Sequence, residues 1–237
     1  MTEQAADEEK PGERLGAESP ERIREQLHAL VLPSAEAGDR DDWAVAPQVA
    51  PGLREFYALE LPEGVGTLSA DGAAKLGTPA ELRVITRRNL AVLPVERHDV
   101  VEVGEEGAEV GTFHLLSGNS LFTSSRVLVL DDLVRQLTGA PIPPQGAVVG
   151  IPSGQQLLVH PVAGNVAALV VATMMSFIER QFGRSSGGLS PHLYWWRAGE
   201  LTQLTEATEG GGTELSAGLP PDFLALVDTS EAAPAAG

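Results

Sequence analysis

Hydrophobic positions along the chain follow two periods, one typical of helices and one typical of strands. The helical period is clearest over residues 165–183, where Asn165 is the expected N-cap and Gly183 is the expected end. Met174 and Phe177 lie on the apolar side of this predicted helix. The same period predicts three further helices, over residues 20–31, 78–93 and 130–140.

Local capping signals support two of these helices. Thr78, Pro79 and Glu81 have the identities and spacing of a capping box with proline in the first turn. Asp131 is the expected N-cap of the helix that stops at Gly139. An N-cap role is enough to explain the acidic residues at this position without any catalytic function.

Runs of β-branched residues separated by turn-forming residues predict the strands. Residues 95–130 predict a β-meander, and residues 146–162 and 192–205 predict two hairpins. Residues 43–64 are apolar but interrupted by prolines, which favours short extended pieces around a turn. Hairpins and helices alternate in the second half of the chain. We therefore predict an α+β fold, with an antiparallel sheet built from hairpins and helices packed on one face.

Composition divides the chain into three parts. Residues 1–42 form an acidic segment, predicted to be largely disordered with one short helix. Residues 43–205 form a single predicted α+β domain, and two subdomains meeting near residues 140–146 are the alternative. Residues 206–237 form a Gly/Pro/Ala-rich acidic tail, predicted to be disordered apart from a short element near Leu224.

Most of the negative charge lies at the two ends of the chain. The net charge is -17, and residues 1–42 hold 12 acidic and 5 basic side chains, while residues 206–237 hold 6 acidic and none basic. Such a chain repels nucleic acid and anionic membranes, so we expect neither as a partner. Acidic ends of this kind are typical of solubility and disorder, and a specific basic protein partner is the alternative. The 14 arginines against 2 lysines are typical of high-GC actinobacterial proteins.

The start of the chain is polar and acidic, and it lacks the basic and apolar regions of a signal peptide. The longest nearly apolar run, residues 166–178, is too short to span a bilayer. We therefore expect a cytoplasmic protein. The absence of cysteine excludes disulfides, thiolate metal sites and cysteine nucleophiles.

The aromatic sequence HLYWWR, residues 192–197, has two possible roles. In a strand its side chains alternate, so Tyr194 and Trp196 share one face while Trp195 and Arg197 share the other. One interpretation is core packing, with one tryptophan against the helix that contains Met174. The other is a partner-binding site formed by Tyr194, Trp195, Trp196 and Arg197, since tryptophan is enriched at binding hot spots.

Catalytic residues form no recognisable motif. The glycines around Ser153 do not have the Gly-x-Ser-x-Gly spacing of a nucleophile elbow. The five histidines are isolated along the sequence and no complete phosphate-binding loop occurs, so we expect no metal and no cofactor. If the protein is an enzyme, the first candidates are Asp131, Ser153 and His192.

Several segments resemble the YtpQ-like family of bacterial proteins. The similarity lies in FTSSRVLVLDDLVRQL (122–137), AVVGIPSGQQLLVHPV (147–162), LSPHLYWWRAGELTQL (189–204) and TPAELRVITRRNL (78–90). It covers roughly residues 43–205 and implies an intracellular α+β domain, but it implies no particular activity or catalytic residue. The long acidic ends depart from the family pattern.

These observations favour a non-enzymatic cytoplasmic protein that binds another protein, such as an adaptor or an immunity protein that masks a basic partner. The alternative is a hydrolase or small-ligand enzyme without a recognisable motif. The two hypotheses differ in where they place the site. Binding requires an accessible aromatic surface, whereas catalysis requires that the three candidate side chains converge in one pocket.

Overall fold

The structure, a computed structural model, describes residues 19–34, 47–61, 64–105 and 108–228. Its fold is α+β, as predicted, and two antiparallel sheets account for most of the strands. None of the described helices is long and apolar enough to cross a membrane. The expected disorder of residues 1–18 and 229–237 concerns residues outside the described part of the chain.

The first sheet has four strands and is covered by three helices. Its strands are β1 (Leu27–Pro33), β2 (Gln48–Ala50), β3 (Leu53–Leu61) and β4 (Gly64–Thr67). Strand β3 pairs with the other three strands. The helices are α1 (Pro20–Gln26), α2 (Ala70–Leu76) and α3 (Pro79–Ala91). The predicted capping box starts α3: the Thr78 side chain accepts from the Glu81 backbone, and Glu81 accepts from the Thr78 backbone.

The second sheet has six strands in the order β11-β10-β7-β8-β6-β5, all antiparallel. These strands are β5 (Arg97–Glu105), β6 (Ala108–Ser117), β7 (Ala147–Ser153), β8 (Gln156–Pro161), β10 (Leu193–Arg197) and β11 (Glu200–Gln203). Between β6 and β7 lie a 3-10 helix (Ser124–Val129) and α4 (Leu130–Thr138). Both predicted hairpins are confirmed.

Elements cover both faces of the six-stranded sheet, rather than one. The long helix α5 (Ala168–Arg184) packs on one face, where Met174 and Ile178 join the core. Helix α4 and the first sheet cover the other face, through residues such as Leu130 and Leu53. Strand β7 is buried at every position, so its side chains on both faces need cover. A Cβ at Gly150 of β7 would clash with Ile178, so glycine allows α5 to lie this close.

Two segments form a different type of secondary structure from the one predicted. The predicted helix over residues 20–31 is correct to Gln26, but the prediction is wrong beyond it, where β1 begins. Periodicity cannot separate a short apolar strand from a helix, and β1 is fixed by pairing with β3. The third strand of the predicted meander is also wrong. Residues 124–129 form the 3-10 helix, which turns Ser124, Ser125 and Arg126 into the interior and overrides their strand-like composition.

The chain end and one cap also differ from expectation. Residues 206–228 carry structure: β12 (Thr205–Ala207) pairs with β13 (Thr213–Leu215), and β14 (Val227–Asp228) pairs with β9 (Val166–Ala167). The short element predicted near Leu224 is confirmed as helix α6 (Pro221–Leu224), which precedes β14 and buries Phe223 completely. The predicted N-cap Asn165 is wrong, because β9 intervenes and α5 starts after Ala167. The first sheet also begins before residue 43, the predicted start of the domain.

Candidate functional site

The aromatic residues of β10 lie on both faces of the six-stranded sheet, and each face packs against its own hydrophobic core. Tyr194 is fully buried, its hydroxyl lies 2.7 Å from the Ser190 Oγ, and burial raises its pKa to about 12. Trp195 is 5% exposed, and its Nε1 donates to the Gln145 carbonyl at 2.8 Å. Its ring packs on that of Phe223, with centroids 5.5 Å apart. Both residues are therefore held in the interior.

The other two candidate binding residues reach the surface. The Arg197 guanidinium lies 5.1 Å from the centre of the Trp195 ring and pairs with Asp222 at 2.8 Å. Trp196 is only partly buried and lines a cleft of about 620 Å³ between the two sheets. We call this the Trp196 cleft. Four parts of the fold form its walls: β2 with the following Pro51, helix α3, the junction of the 3-10 helix with α4, and the β10–β11 hairpin. The lining residues are 48–51, Arg83, Arg87, 127–132, Trp196 and 199–201.

One wall of the Trp196 cleft is basic and is held by a buried carboxylate. Glu55 of β3 is 1% exposed and accepts two hydrogen bonds from Arg87, at 3.2 and 2.7 Å. The Arg83 Nε lies 3.8 Å from the same carboxylate. The sequence analysis missed Glu55. The one available signal was a glutamate between apolar residues of a strand, in LREFYALEL.

Another part of the lining is acidic and includes a residue first considered for catalysis. Asp131 accepts from the Ile142 backbone at 3.1 Å and pairs with Arg135 at 2.8 Å. The predicted N-cap role of Asp131 is wrong, because α4 continues directly from the 3-10 helix and the N-cap position is Val129. Asp132 and Glu200 complete this part of the lining, and Asp132 also contacts Arg135, at 3.4 Å.

Asp131, Ser153 and His192 do not share a cleft in the described structure. Asp131 shares the Trp196 cleft with Trp196, which pairs with Ala147 at one end of β7. Ser153 is at the other end of β7, and the usual rise per residue of a strand puts it roughly 20 Å from Ala147. His192 contacts the Thr205 hydroxyl at 3.3 Å, and burial lowers its pKa. No described contact joins the three side chains into a nucleophile–base pair.

The histidines are less isolated than their sequence positions indicate. The Nε2 of His98 and the Nδ1 of His114 are 2.9 Å apart, on the paired strands β5 and β6. His160 of β8 contacts the Thr112 carbonyl through Nδ1 at 2.7 Å. Burial lowers the pKa of His114 and of His160, and the two neighbouring histidines lower that of His114 further. Among the described residues, no three His, Asp or Glu side chains are arranged to hold a metal ion.

The Trp196 cleft combines an accessible indole with basic and acidic walls. Its described lining contains no serine, threonine, histidine or lysine, so none of these nucleophiles or bases faces it. The arrangement is suited to holding a charged, partly apolar segment. Comparison of the chain with protein-family models, with curated proteins and with solved structures found no match.

Proposed function

We propose that this protein is a non-enzymatic binding protein that docks a basic segment of another protein in the Trp196 cleft. The observation that carries the proposal is the exposure pattern of β10. Tyr194 and Trp195 are buried, while the neighbouring Trp196 is left partly accessible in a large open cleft. A tryptophan in such a position offers much contact area at little entropic cost, as interface hot spots do.

The charged residues of the cleft favour a partner with a positive charge. Arg83 and Arg87 of α3 share the one buried carboxylate of Glu55, which offsets one of their two charges. Asp131, Asp132 and Glu200 line the same cleft, and the first two pair with Arg135, which offsets one of their three charges. Asp132 and Glu200 lie at the surface. An arginine or lysine of the partner can therefore stack on Trp196 while its charged end meets these carboxylates. The strongly acidic chain attracts the same kind of partner over a longer range.

The proposal extends to the family resemblance. The segments 122–137 and 189–204, which carry part of that resemblance, supply the acidic wall and the Trp196 hairpin respectively. We therefore propose that the cleft is the shared feature of this chain and YtpQ-like proteins. The same proposal places the protein in the cytoplasm, as an adaptor or an immunity protein with a basic partner and without nucleic acid.

Affinity capture with the full chain as bait tests the proposal. We expect a captured protein to be held at about 50 mM salt and released at about 500 mM, because screening weakens charge pairing. Trp196→Ala and the double variant Asp132→Asn, Glu200→Gln should each lose it. The matched controls are Leu215→Ala and Glu214→Gln, exposed residues of β13 outside the cleft. Equal capture by cleft and control variants would show that the partner binds elsewhere and would refute the proposal.

A further inference from the structure

A second cavity, of about 310 Å³, lies beside the 3-10 helix and apart from the Trp196 cleft. Most of its wall is apolar, from Leu93, Val95, Leu116 and Phe122, with hydroxyls from the loop after β6. Arg126 of the 3-10 helix forms part of the wall, and we call this space the Arg126 cavity.

Arg126 is a buried cation without a counter-ion. Its side chain is 3% exposed, and only Nη2 has a partner, the Gln136 Oε1 at 2.7 Å. The Nε and Nη1 atoms have no hydrogen-bond partner, and no described carboxylate pairs with them. Burial lowers the pKa of Arg126, but a guanidinium stays protonated in proteins. An isolated buried charge is costly, which points to a missing anion.

Two more buried side-chain atoms, on the same or a neighbouring element, lack a hydrogen-bond partner, although neither residue lines the cavity. Within the described residues, the buried side-chain atoms that lack a partner are those of Arg126, the Ser124 Oγ and the His28 Nδ1. Ser124 belongs to the same 3-10 helix as Arg126. The His28 ring packs against Phe122 of the cavity wall, with centroids 4.9 Å apart. Buried polar groups are nearly always satisfied, so the two unpaired nitrogens of Arg126, which does line the cavity, are the observation that points to a polar ligand.

We propose that the Arg126 cavity binds a small organic carboxylate, with the carboxylate on the Arg126 guanidinium and an apolar body against Leu116 and Phe122. The Nε and Nη1 atoms are buried, so the proposed binding includes a rotation of the Arg126 side chain that brings them to the ligand. A charge-assisted pair of this kind satisfies both nitrogens. This site is separate from the proposed docking cleft and does not depend on it.

The walls favour a carboxylate over a more highly charged anion. Glu60 and Glu96 are also in the wall and would repel a phosphate dianion. The Glu96 carboxylate is already held by the backbone N–H groups of Asn119 and Ser120, at 2.9 and 3.0 Å. The single buried cation and the apolar lining together match a monocarboxylate of aromatic or aliphatic type.

Fluorine NMR with 4-fluorobenzoate tests this inference directly. The full chain should broaden or shift the benzoate signal, and the neutral analogue 4-fluorobenzamide should bind roughly tenfold more weakly or worse. Arg126→Met should abolish benzoate binding, while Arg88→Met, an exposed arginine that does not line the cavity, should retain it. Trp196→Ala should also retain it, which separates this site from the docking cleft.

A second readout covers the case in which Arg126→Met does not fold. The side-chain Nε–H signal of Arg126 in the wild-type protein, identified by its absence in Arg126→Lys, should move on titration with benzoate. No benzoate binding at millimolar concentration, equal binding of benzamide, an unmoved Nε–H signal, or preferential binding of inorganic phosphate would each overturn the inference.

Discussion

Trp195 and Trp196 are adjacent in β10 but belong to opposite sides of the central sheet. Trp195 is buried beneath α5 and Phe223, and its indole N–H is bound by the Gln145 carbonyl. Trp196 packs only partly against the other core and opens into the cleft between the sheets. The strand pleat thus places one tryptophan in the core and leaves the other partly accessible from the cleft.

The first prediction concerns the unequal stability of these two positions. Trp195→Ala should lower the free energy of unfolding by about 3–5 kcal/mol, as expected for a buried aromatic residue. Trp196→Ala should cost about 1–2 kcal/mol, because less apolar surface is lost from the interior. Urea unfolding followed by circular dichroism measures both values. Equal costs would contradict the placement of the two side chains on differently covered faces.

Fluorescence quenching gives an independent check of the same placement. In a Trp43→Phe background only Trp195 and Trp196 emit, since the chain has 3 tryptophans. The variant that retains Trp196 should be quenched by acrylamide much more than the variant that retains Trp195. The account of the cleft fails if Trp195 is the more accessible residue.

The second prediction concerns the ion pair between Glu55 and Arg87. Arg87→Met should destabilise the fold by about 2–3 kcal/mol, because it leaves a buried carboxylate with only the more distant Arg83. Glu55→Gln should cost less, about 1 kcal/mol, because Arg87 can turn toward water. Chemical denaturation of both variants measures the difference. Arg88→Met, at an exposed position of the same helix, is the control and should change little.

The third prediction concerns alkaline pH and Tyr194. Burial raises the pKa of Tyr194 to about 12 in the folded state, above the ordinary value of 10.0. The unfolded chain therefore releases this proton first, and stability falls as the pH rises through the window from about 10 to about 12. The loss is about 2–3 kcal/mol at the top of the window. Unfolding of wild type and Tyr194→Phe across this range should show the steeper decline only in wild type.

The fourth prediction concerns acid. Burial holds the pKa values of His114 and His160 below the ordinary 6.5, so the fold favours their neutral forms. Their contribution is fully present above pH 6.5 and is lost as the pH falls toward the folded-state pKa values. The free energy of unfolding should therefore be lower at about pH 5, which is above the range in which carboxylates titrate, than at pH 7.5. The double variant His114→Gln, His160→Gln should decline less, and an equal decline would assign the effect to other groups.

Features fixed by nearby residues could be predicted from the sequence. The Thr78–Glu81 capping box and the hairpin that carries Trp196 depend on residues a few positions apart, and both are confirmed. The 3-10 helix depends on contacts with residues distant in sequence, such as the hydrogen bond that the Ser125 Oγ accepts from the Val31 N–H. The strand predicted from the composition of this segment is therefore wrong. The Glu55–Arg87 pair joins residues 32 positions apart and could not be seen without the pairing of the elements.

The candidate site divides in the same way. Strand alternation predicts that Trp195 and Trp196 lie on opposite faces of the sheet, and the structure confirms this. The expectation that one of them faces outward is not met, because α4 and the first sheet cover the second face, where Trp196 is partly buried beside the cleft. That Asp131 would lie in the same cleft as Trp196 depends on how α4 packs beside the hairpin. No pattern along the chain records that packing.

Site-specific photocrosslinking in the native host cells tests the central claim most directly. A photoreactive amino acid at Glu200, on the wall of the Trp196 cleft, should crosslink to one partner, and a second protein with Trp196→Ala should lose that crosslink. The same amino acid at Glu214 of β13 is the matched exposed control and should give none. A crosslink at Glu214 but not at Glu200, or one that persists in Trp196→Ala, would contradict the assignment of the cleft as the docking surface.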